Sequence, residues 1–350
     1  MMSAPVPYGC LSEVSYGTGS AHFFPLQDTP ESARMTKIAV LDDYQGVALE
    51  FVDWSAVQAR AEVTVFRDHL DDTNDVVARL MPFDAVCIMR ERTQLKADVL
   101  RRLPNLKFIA STGARNAALD IDFAHQQGIT VSGTASHGSS APELTWALIM
   151  AAARHIPDEV QSFRSGGWQV GVGVDLEGRT LGVMGLGRIG ARVATVGRAF
   201  GMRVIAWSQN LTVDDAAAKG AELVDKETLL READWLTVHL VLSDRTRHIV
   251  DAAELALLKP TAWLVNTSRG PLVNELALVE ALSARSIAGA ALDVFEMEPL
   301  AADHAFRQLN NVVATPHIGF VTQDTYRKFY GETVENLKAW LDGAPIRVSG

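Results

Sequence analysis

A two-domain α/β protein built around doubly wound parallel sheets is the fold class predicted from three features of the sequence. Short β-rich runs alternate with helical patterns from Lys37 onward, as parallel β-α-β units require. A turn in G-x-G-x-x-G spacing, formed by Gly185, Gly187 and Gly190, joins the apolar run "TLGVM" to the helical run "RIGARVATVGRAF". A long amphipathic segment follows the last strand of the second series and is free to pack elsewhere.

In chain order, the first strands are "KIAVLD" (37–42), "EVTVF" (62–66), "DAVCIM" (84–89), "KFIAS" (107–111) and "ITVS" (129–132). Helical patterns lie between them, among them "VALEFVDWSAVQAR" and "TNDVVARLM". After the polar break "GTASHGSS", the run "APELTWALIMAAARH" predicts a long buried helix, with Pro142 and Glu143 suited to its first turn. Six strands follow: "TLGVMG", "RVIAW", "DWLTVHL", "TAWLVNT", "IAGAALDV" and "NVVATP". The last segment puts Tyr326, Phe329, Tyr330, Val334, Leu337, Trp340 and Leu341 on one helical face, and its length predicts that it packs back on the first domain.

The chain has 350 residues and a formal charge of −10. With a pI near 5.4, it lacks the basic surface that nucleic acid or an anionic membrane would need, so neither is expected as a partner. A local basic pocket for a small anion stays open. Cys10 and Cys87 are the only cysteines, which leaves no disulfide framework and no thiolate metal site and fits a reducing, cytoplasmic setting. No apolar run approaches the roughly 20 residues that span a bilayer. Residues 1–34 are rich in Ser, Gly and Pro without sustained periodicity, and they lack the pattern of a secretory signal. They are expected to form a poorly ordered or loosely docked extension, and Met35 would serve as an alternative start.

The glycine turn has the context its mechanism demands. The first glycine permits the turn, the second lets backbone approach a pyrophosphate, and the third lets helix and strand pack closely. Gly185, Gly187 and Gly190, with Arg188 and Ile189 opening the helix, are therefore candidate cofactor-binding residues. About twenty residues on, such a unit usually carries an acid for the adenosine ribose. Here "IAWSQN" offers Ser208, which can hydrogen-bond but has no charge to repel a 2′-phosphate. No Arg follows within 209–212, so NAD is placed first and NADP stays open.

Four blocks carry a resemblance: "LEGRTLGVMGLGRIG" (176–190), "LLKPTAWLVNTSRGPLVNELALVEAL" (257–282), "GAALDVFEMEP" (289–299) and "NVVATPHIG" (311–319). In order and spacing the chain resembles the D-isomer-specific 2-hydroxyacid dehydrogenases over residues 37–342. The resemblance implies a Rossmann dinucleotide-binding domain (134–319) inserted in a flavodoxin-like substrate or catalytic domain (35–133 plus 320–350). It also implies a catalytic set of Arg269, Glu298 and His317, and a homodimer. It adds Thr246, Thr267, Ser268 and Asp293 as cofactor contacts, Asp293 at the nicotinamide carboxamide. The implied reaction moves a hydride between NAD(P)H and a 2-oxo acid or D-2-hydroxy acid. An imidazole can exchange the proton, a carboxylate bonded to such a ring favours its charged form, and a guanidinium can grip a carboxylate through two bonds. Singly, each residue has a structural alternative: His317 is one of nine histidines, Glu298 could be a solvated turn residue, and Arg269 a surface cation. Thr246 would serve equally as a helix cap. What joins them is their ordered occurrence near the ends of predicted strands, where open α/β sheets bind ligands.

The chain departs from the family in its first domain. A loop resembling T-G-x-G-x-D-N-I-D, which binds the substrate carboxylate there, reads "TGARNAALD" (112–120) here. Gly113, Ala114 and Arg115 are the candidate substrate contacts, with Arg115 either adding a cation to the anion site or pointing to solvent. In "IMRERTQ", Arg90 matches a substrate-side position and Arg92 is its neighbour, which either joins the site or pairs with Glu91 or another surface acid. Arg90, Arg115 and Arg269 together would suit a dianionic or large acidic substrate. Glu298 stands where formate dehydrogenases carry Gln, which speaks against formate, and the short C-terminus suggests no regulatory domain. Two alternatives remain: a nucleotide-sensing binding protein like the C-terminal-binding-protein corepressors, and an oxidoreductase of another substrate class.

Overall fold

Two parallel sheets account for the strand series in the computed structural model, which describes residues 34–113, 115–135, 138 and 140–349. The expectation for residues 1–34 falls, apart from Arg34, outside the described residues. The first sheet contains β1 (Thr36–Val40), β2 (Ala61–Val65), β3 (Ala85–Ile88), β4 (Phe108–Ser111) and β5 (Thr130–Gly133), in the order β2-β1-β3-β4-β5. Its inner strands β3 and β4 are buried along their whole length because helices cover both faces. Ile38 and Val40 enter one core, while Ala39 and Leu41 enter the other.

The second sheet contains β6 (Thr180–Met184), β7 (Arg203–Trp207), β8 (Glu222–Leu223), β9 (Trp235–Val238), β10 (Trp263–Asn266), β11 (Gly289–Leu292) and β12 (Val312–Ala314). Their order, β12-β11-β10-β9-β6-β7-β8, reverses direction at β6. Doubly wound sheets bind ligands at such a switch point. The sequence predicts six of these strands. The seventh, β8, has two residues on the sheet edge, too few to display alternation. The helix Ser140–Ala153 is buried as expected, with Trp146, Leu148, Ile149 and Ala152 in the core shared with Val183 and Val265.

The expected helix over "VALEFVDWSAVQAR" shrinks to Ser55–Gln58. Side chains close the preceding turns instead. The Asp43 carboxylate accepts from Val47 N and Ala48 N, both at 3.0 Å, and Trp54 Nε1 donates to Ala48 O at 2.8 Å. Local hydrogen bonds of this kind compete with helix formation. The final helix, Gln323–Leu341, returns to the first sheet as predicted. Tyr326, Phe329, Tyr330, Val334 and Leu337 pack on Ile38, Phe108 and Ala110, and Trp340 stacks on Phe108 at 5.0 Å. The last residues then join the sheet edge, where Val348 bridges Ser132.

Just beyond β1, the chain turns at Asp42, a buried residue with φ of 57°. Its carboxylate accepts from Thr93 Oγ1 at 2.6 Å and meets His69 Nδ1 at 3.1 Å, while its carbonyl accepts from Arg92 Nη1 at 2.6 Å. The Asp42 hydrogen bond, with the Asp42 and Asp71 charges, outweighs burial and holds the His69 imidazole above its ordinary value of 6.5. The folded chain thus binds that proton more tightly than the unfolded one. The stabilisation is fully present below about pH 6.5 and is lost as the pH rises through the folded value. His69→Gln is expected to destabilise by about 1.5 kcal/mol at pH 5.5, as for a hydrogen bond to a charged group, and by clearly less at pH 8.5. Denaturant unfolding at the two pH values measures this; an equal loss at both would show that the charge on His69 contributes nothing.

Candidate active site

The glycine turn lies where β6 ends, beside the switch point. Gly185 has φ of 102°, and a Cβ there would stand 2.8 Å from the His239 carbonyl. A Cβ on Gly190 would come within 2.1 Å of Gly185 O, so helix and turn approach as only glycine permits. Gly187 differs: a Cβ would meet nothing within 4 Å, and as N-cap of the helix Arg188–Ala199 it brings no side-chain cap. Open space in front of uncapped helical N–H groups fits a pyrophosphate. Arg188 is exposed and Ile189 half-buried at the helix start. Ser208 is half-buried just past β7. Lys219, from the following helical turn, places Nζ on Leu186 O at 3.0 Å and so brings a cation to the glycine loop. His239, behind that loop, is pulled down to about 4 by burial and stays neutral.

The end of β10 carries the "NTSRG" segment. Asn266 staples it: its side chain donates to Arg269 O at 2.9 Å and accepts from Ser268 N at 3.1 Å. Thr267 Oγ1 meets Thr145 Oγ1 at 2.7 Å, and Ser268 Oγ donates to Val238 O at 2.7 Å. Thr246 caps no helix. Its hydroxyl accepts from Ser243 N at 2.8 Å and donates to Val241 O at 2.7 Å, which closes a turn.

His317 sits in the loop after β12 with φ of 51°, a left-handed conformation for a non-glycine residue. Its Nδ1 lies 2.5 Å from Glu298 Oε2, and Glu298 Oε1 accepts from Phe295 N at 2.9 Å. A carboxylate can only accept from a ring N–H, so Nδ1 carries the hydrogen and Nε2 is the nitrogen left for other partners. Asp293, fully buried, anchors this loop. Oδ1 accepts from Thr315 Oγ1 at 2.6 Å and Ile318 N at 2.8 Å, and Oδ2 accepts from Gly319 N at 2.8 Å. Burial pushes the Asp293 carboxyl up against the lowering effect of these bonds. His317 and Glu298 line a cavity of about 450 Å³ together with Tyr44, Arg92, Leu300 and Phe306.

Loops from the first sheet form another part of the site. Arg90, with φ of 52°, and Glu91 follow β3. Glu91 Oε1 lies 2.7 Å from Arg269 Nη2 and 3.3 Å from Arg90 Nη2, so one acid joins both guanidinium groups. Burial alone would push the Glu91 carboxyl up, but Arg90 and Arg269 outweigh it and hold it below the usual range, with His317 acting in the same direction. The pairing of Glu91 with Arg92 considered from sequence is not what forms. Arg92 turns the other way, stacking over Tyr44 at 4.3 Å and reaching Tyr326 Oη at 3.3 Å. Burial and the Asp42 charge push the Tyr44 phenol up to about 12. Gly113 is buried at φ of 87°, its N–H donates to Thr134 Oγ1 at 2.8 Å, and a Cβ would run into Arg90 Nη1. Arg115 is exposed, and Ala114 lies outside the described residues.

The structure thus gathers Arg90 with Arg269, and Glu298 with His317, from segments separated by up to 178 residues in one hydrogen bond. Glu91, Lys219 and Tyr44 were missed in the sequence because their significance depends on contacts across the fold. For Glu91 the one available signal was an acid between two arginines in "RER".

Residues 146–319 match the family described as D-isomer specific 2-hydroxyacid dehydrogenase, NAD binding domain. The glyoxylate reductase of Aeropyrum pernix is 42% identical over 260 residues, covering 71% of this chain and 78% of the relative. The hydroxypyruvate reductase of Thermotoga maritima is 37% identical over 286 residues, covering 79% and 91%. The crystal structure of phosphoglycerate oxidoreductase from Vibrio cholerae matches with a TM-score of 0.83 at 38% identity, covering 89% of this chain and all of that one. Glycine cradle, ordered site motifs and relatives agree, and the chain belongs to the D-isomer-specific 2-hydroxyacid dehydrogenases, a family of NAD-dependent oxidoreductases.

Proposed function

We propose that this chain reduces a small 2-oxo acid to the D-2-hydroxy acid, and catalyses the reverse, with chemistry between residues 35–133 plus 320–350 and residues 134–319. The observation that carries the reading is the 2.5 Å bond between His317 Nδ1 and Glu298 on the wall of the 450 Å³ cavity. A nicotinamide dinucleotide, when bound, would supply or accept the hydride at the substrate's second carbon. His317 Nε2 gives the proton to the carbonyl oxygen during reduction and takes it back during oxidation. Glu298 orients the ring, and Arg269 grips the substrate carboxylate. Asp293, buried and bonded to Thr315, Ile318 and Gly319, would hold the loop beside the nicotinamide. Gly185 to Gly190 would hold the pyrophosphate and Ser208 the adenosine ribose. No specific observation favours the nucleotide-sensor alternative.

NADH is the favoured cofactor in this reading and NADPH a tolerated one, since Ser208 has no charge and Lys219 adds a cation at the loop. A homodimer is supported by the helix Ile156–Arg164, which has no buried residue, and by the exposure of Phe163 (70%), Trp168 (73%) and Val172 (91%). The small cysteine count supports a cytoplasmic setting. No described helix is long and apolar enough to cross a membrane.

Following absorbance at 340 nm with NADH and NADPH against glyoxylate, hydroxypyruvate and branched and aromatic 2-oxo acids tests the reaction. Turnover with at least one acid is expected, and His317→Ala should lower kcat at least 10³-fold while cofactor affinity changes less than threefold. Undiminished turnover in that variant would remove His317 as the acid/base. Ser208→Asp should raise the KM for NADPH at least tenfold more than that for NADH; equal changes would mean another residue selects the cofactor. Light scattering should give about twice 37.9 kDa, falling toward the monomer in Phe163→Ser with Trp168→Ser. A monomeric parent chain would exclude the dimer.

A further inference from the structure

The Glu91 carboxylate occupies the guanidinium that this reading assigns to the substrate. Arg269 Nη2 is bonded to Glu91 Oε1 at 2.7 Å, and Arg269 Nη1 donates to Ser268 O at 2.6 Å. Arg90 shares the same carboxylate oxygen and donates to Thr112 O at 3.3 Å. The side chains of Arg90 and Glu91 are largely shielded from water, with 18% and 17% of their surface exposed, whereas Arg269 keeps 34%. Solvent therefore screens this trio weakly, and its net charge governs what can enter. Two guanidinium groups and one carboxylate leave a single positive charge.

We propose that Glu91 is a specificity-determining residue of the carboxylate subsite: as an internal counter-anion on Arg269 and Arg90, it sets the subsite to accept one negative charge and to disfavour a second beside it. The proposal rests on the reading of Arg269 as the substrate clamp. A substrate carboxylate brings the trio to neutrality. A second anionic group next to the first would face the Glu91 carboxylate without a matching cation. With a neutral side chain at 91, the two arginines would favour a dianion. The preferred substrates are thus monoanions at this end, 2-oxo acids whose second carbon bears an uncharged carbonyl and whose neighbouring carbon bears no carboxylate. The acid also ties a loop that follows β3 in the first sheet to one that follows β10 in the second. Charge selection and the fit between the two sides of the site therefore rest on one side chain.

Oxamate and oxalate test this directly, because they share a shape and differ by one charge where an amide replaces a carboxylate. Their affinities are measured by calorimetry in the presence of NADH for the parent chain, Glu91→Gln, Glu91→Asp and Arg269→Ala. In Glu91→Gln the oxalate-to-oxamate affinity ratio is expected to rise about tenfold, while Glu91→Asp, which keeps the charge, stays within threefold of the parent. A rise below threefold in Glu91→Gln overturns the proposal, and so does an equal rise in Glu91→Asp, which would make the effect one of packing. Arg269→Ala examines the underlying reading. Loss of both ligands there supports the clamp, whereas undiminished binding overturns the clamp and the proposal together. With the clamp intact, an unchanged ratio overturns only the role of Glu91.

Discussion

The buried carboxyl of Asp293 is the constraint on which the candidate site depends. Through three hydrogen bonds of 2.6 to 2.8 Å it takes up the Thr315 hydroxyl and the N–H groups of Ile318 and Gly319, and so fixes the loop on both sides of His317. His317 itself is held at φ of 51°, a conformation that costs roughly 1–3 kcal/mol outside glycine. Hydrogen bonds to a charged acceptor contribute about 1.5–3 kcal/mol each, so three of them can hold the strained residue in place. The ring is then aimed by the second carboxylate, Glu298, itself fixed by Phe295 N. Asp293 sets the backbone, and Glu298 sets the ring on the wall of the cavity.

Much of this was legible in the sequence because it was local. Parallel strands buried on both faces read as short apolar runs, and a glycine turn between strand and helix has few other uses. The long terminal helix carried its own destination, since one face bears Tyr326, Phe329, Tyr330 and Leu337 and needs an apolar surface to cover it. What sequence could not supply was the competition between local hydrogen bonds and propensity. Residues 47–54 have a helical pattern, yet the Asp43 carboxylate and the Trp54 indole close turns there instead. The edge strand β8 is too short to carry any pattern at all.

The site divides along the same line. Arg269, Glu298 and His317 stand in motifs whose spacing can be read along the chain. Glu91 gains its meaning from joining its neighbour Arg90 to Arg269, 178 positions away. Arg92 shows the same limit from the other side. Adjacent to an acid in sequence, it instead reaches Asp42 O and Tyr326 Oη and stacks on Tyr44, because the left-handed backbone at Arg90 and the turn at Asp42 decide where the loop faces.

Charge in the site follows from this geometry. Arginines cluster on one side of a chain whose overall charge is −10, and each is held by an acceptor before any substrate arrives. Arg92 has a carbonyl and a phenol, Arg90 has Thr112 O and Glu91, and Arg269 has Ser268 O and Glu91. A guanidinium presents five N–H donors, so such anchoring orients it without exhausting it. Neutral acceptors leave its charge whole, whereas a carboxylate cancels it. Of the three arginines, the two beside Glu91 share its one charge, whereas Arg92, facing the cavity of His317, bonds neutral oxygens and stacks on Tyr44, a ring within range of the Asp42 and Glu298 carboxylates. The arrangement is therefore graded, with two guanidinium groups sharing one carboxylate at one end and, near the other, a guanidinium held by neutral oxygens on the cavity wall that also carries Glu298.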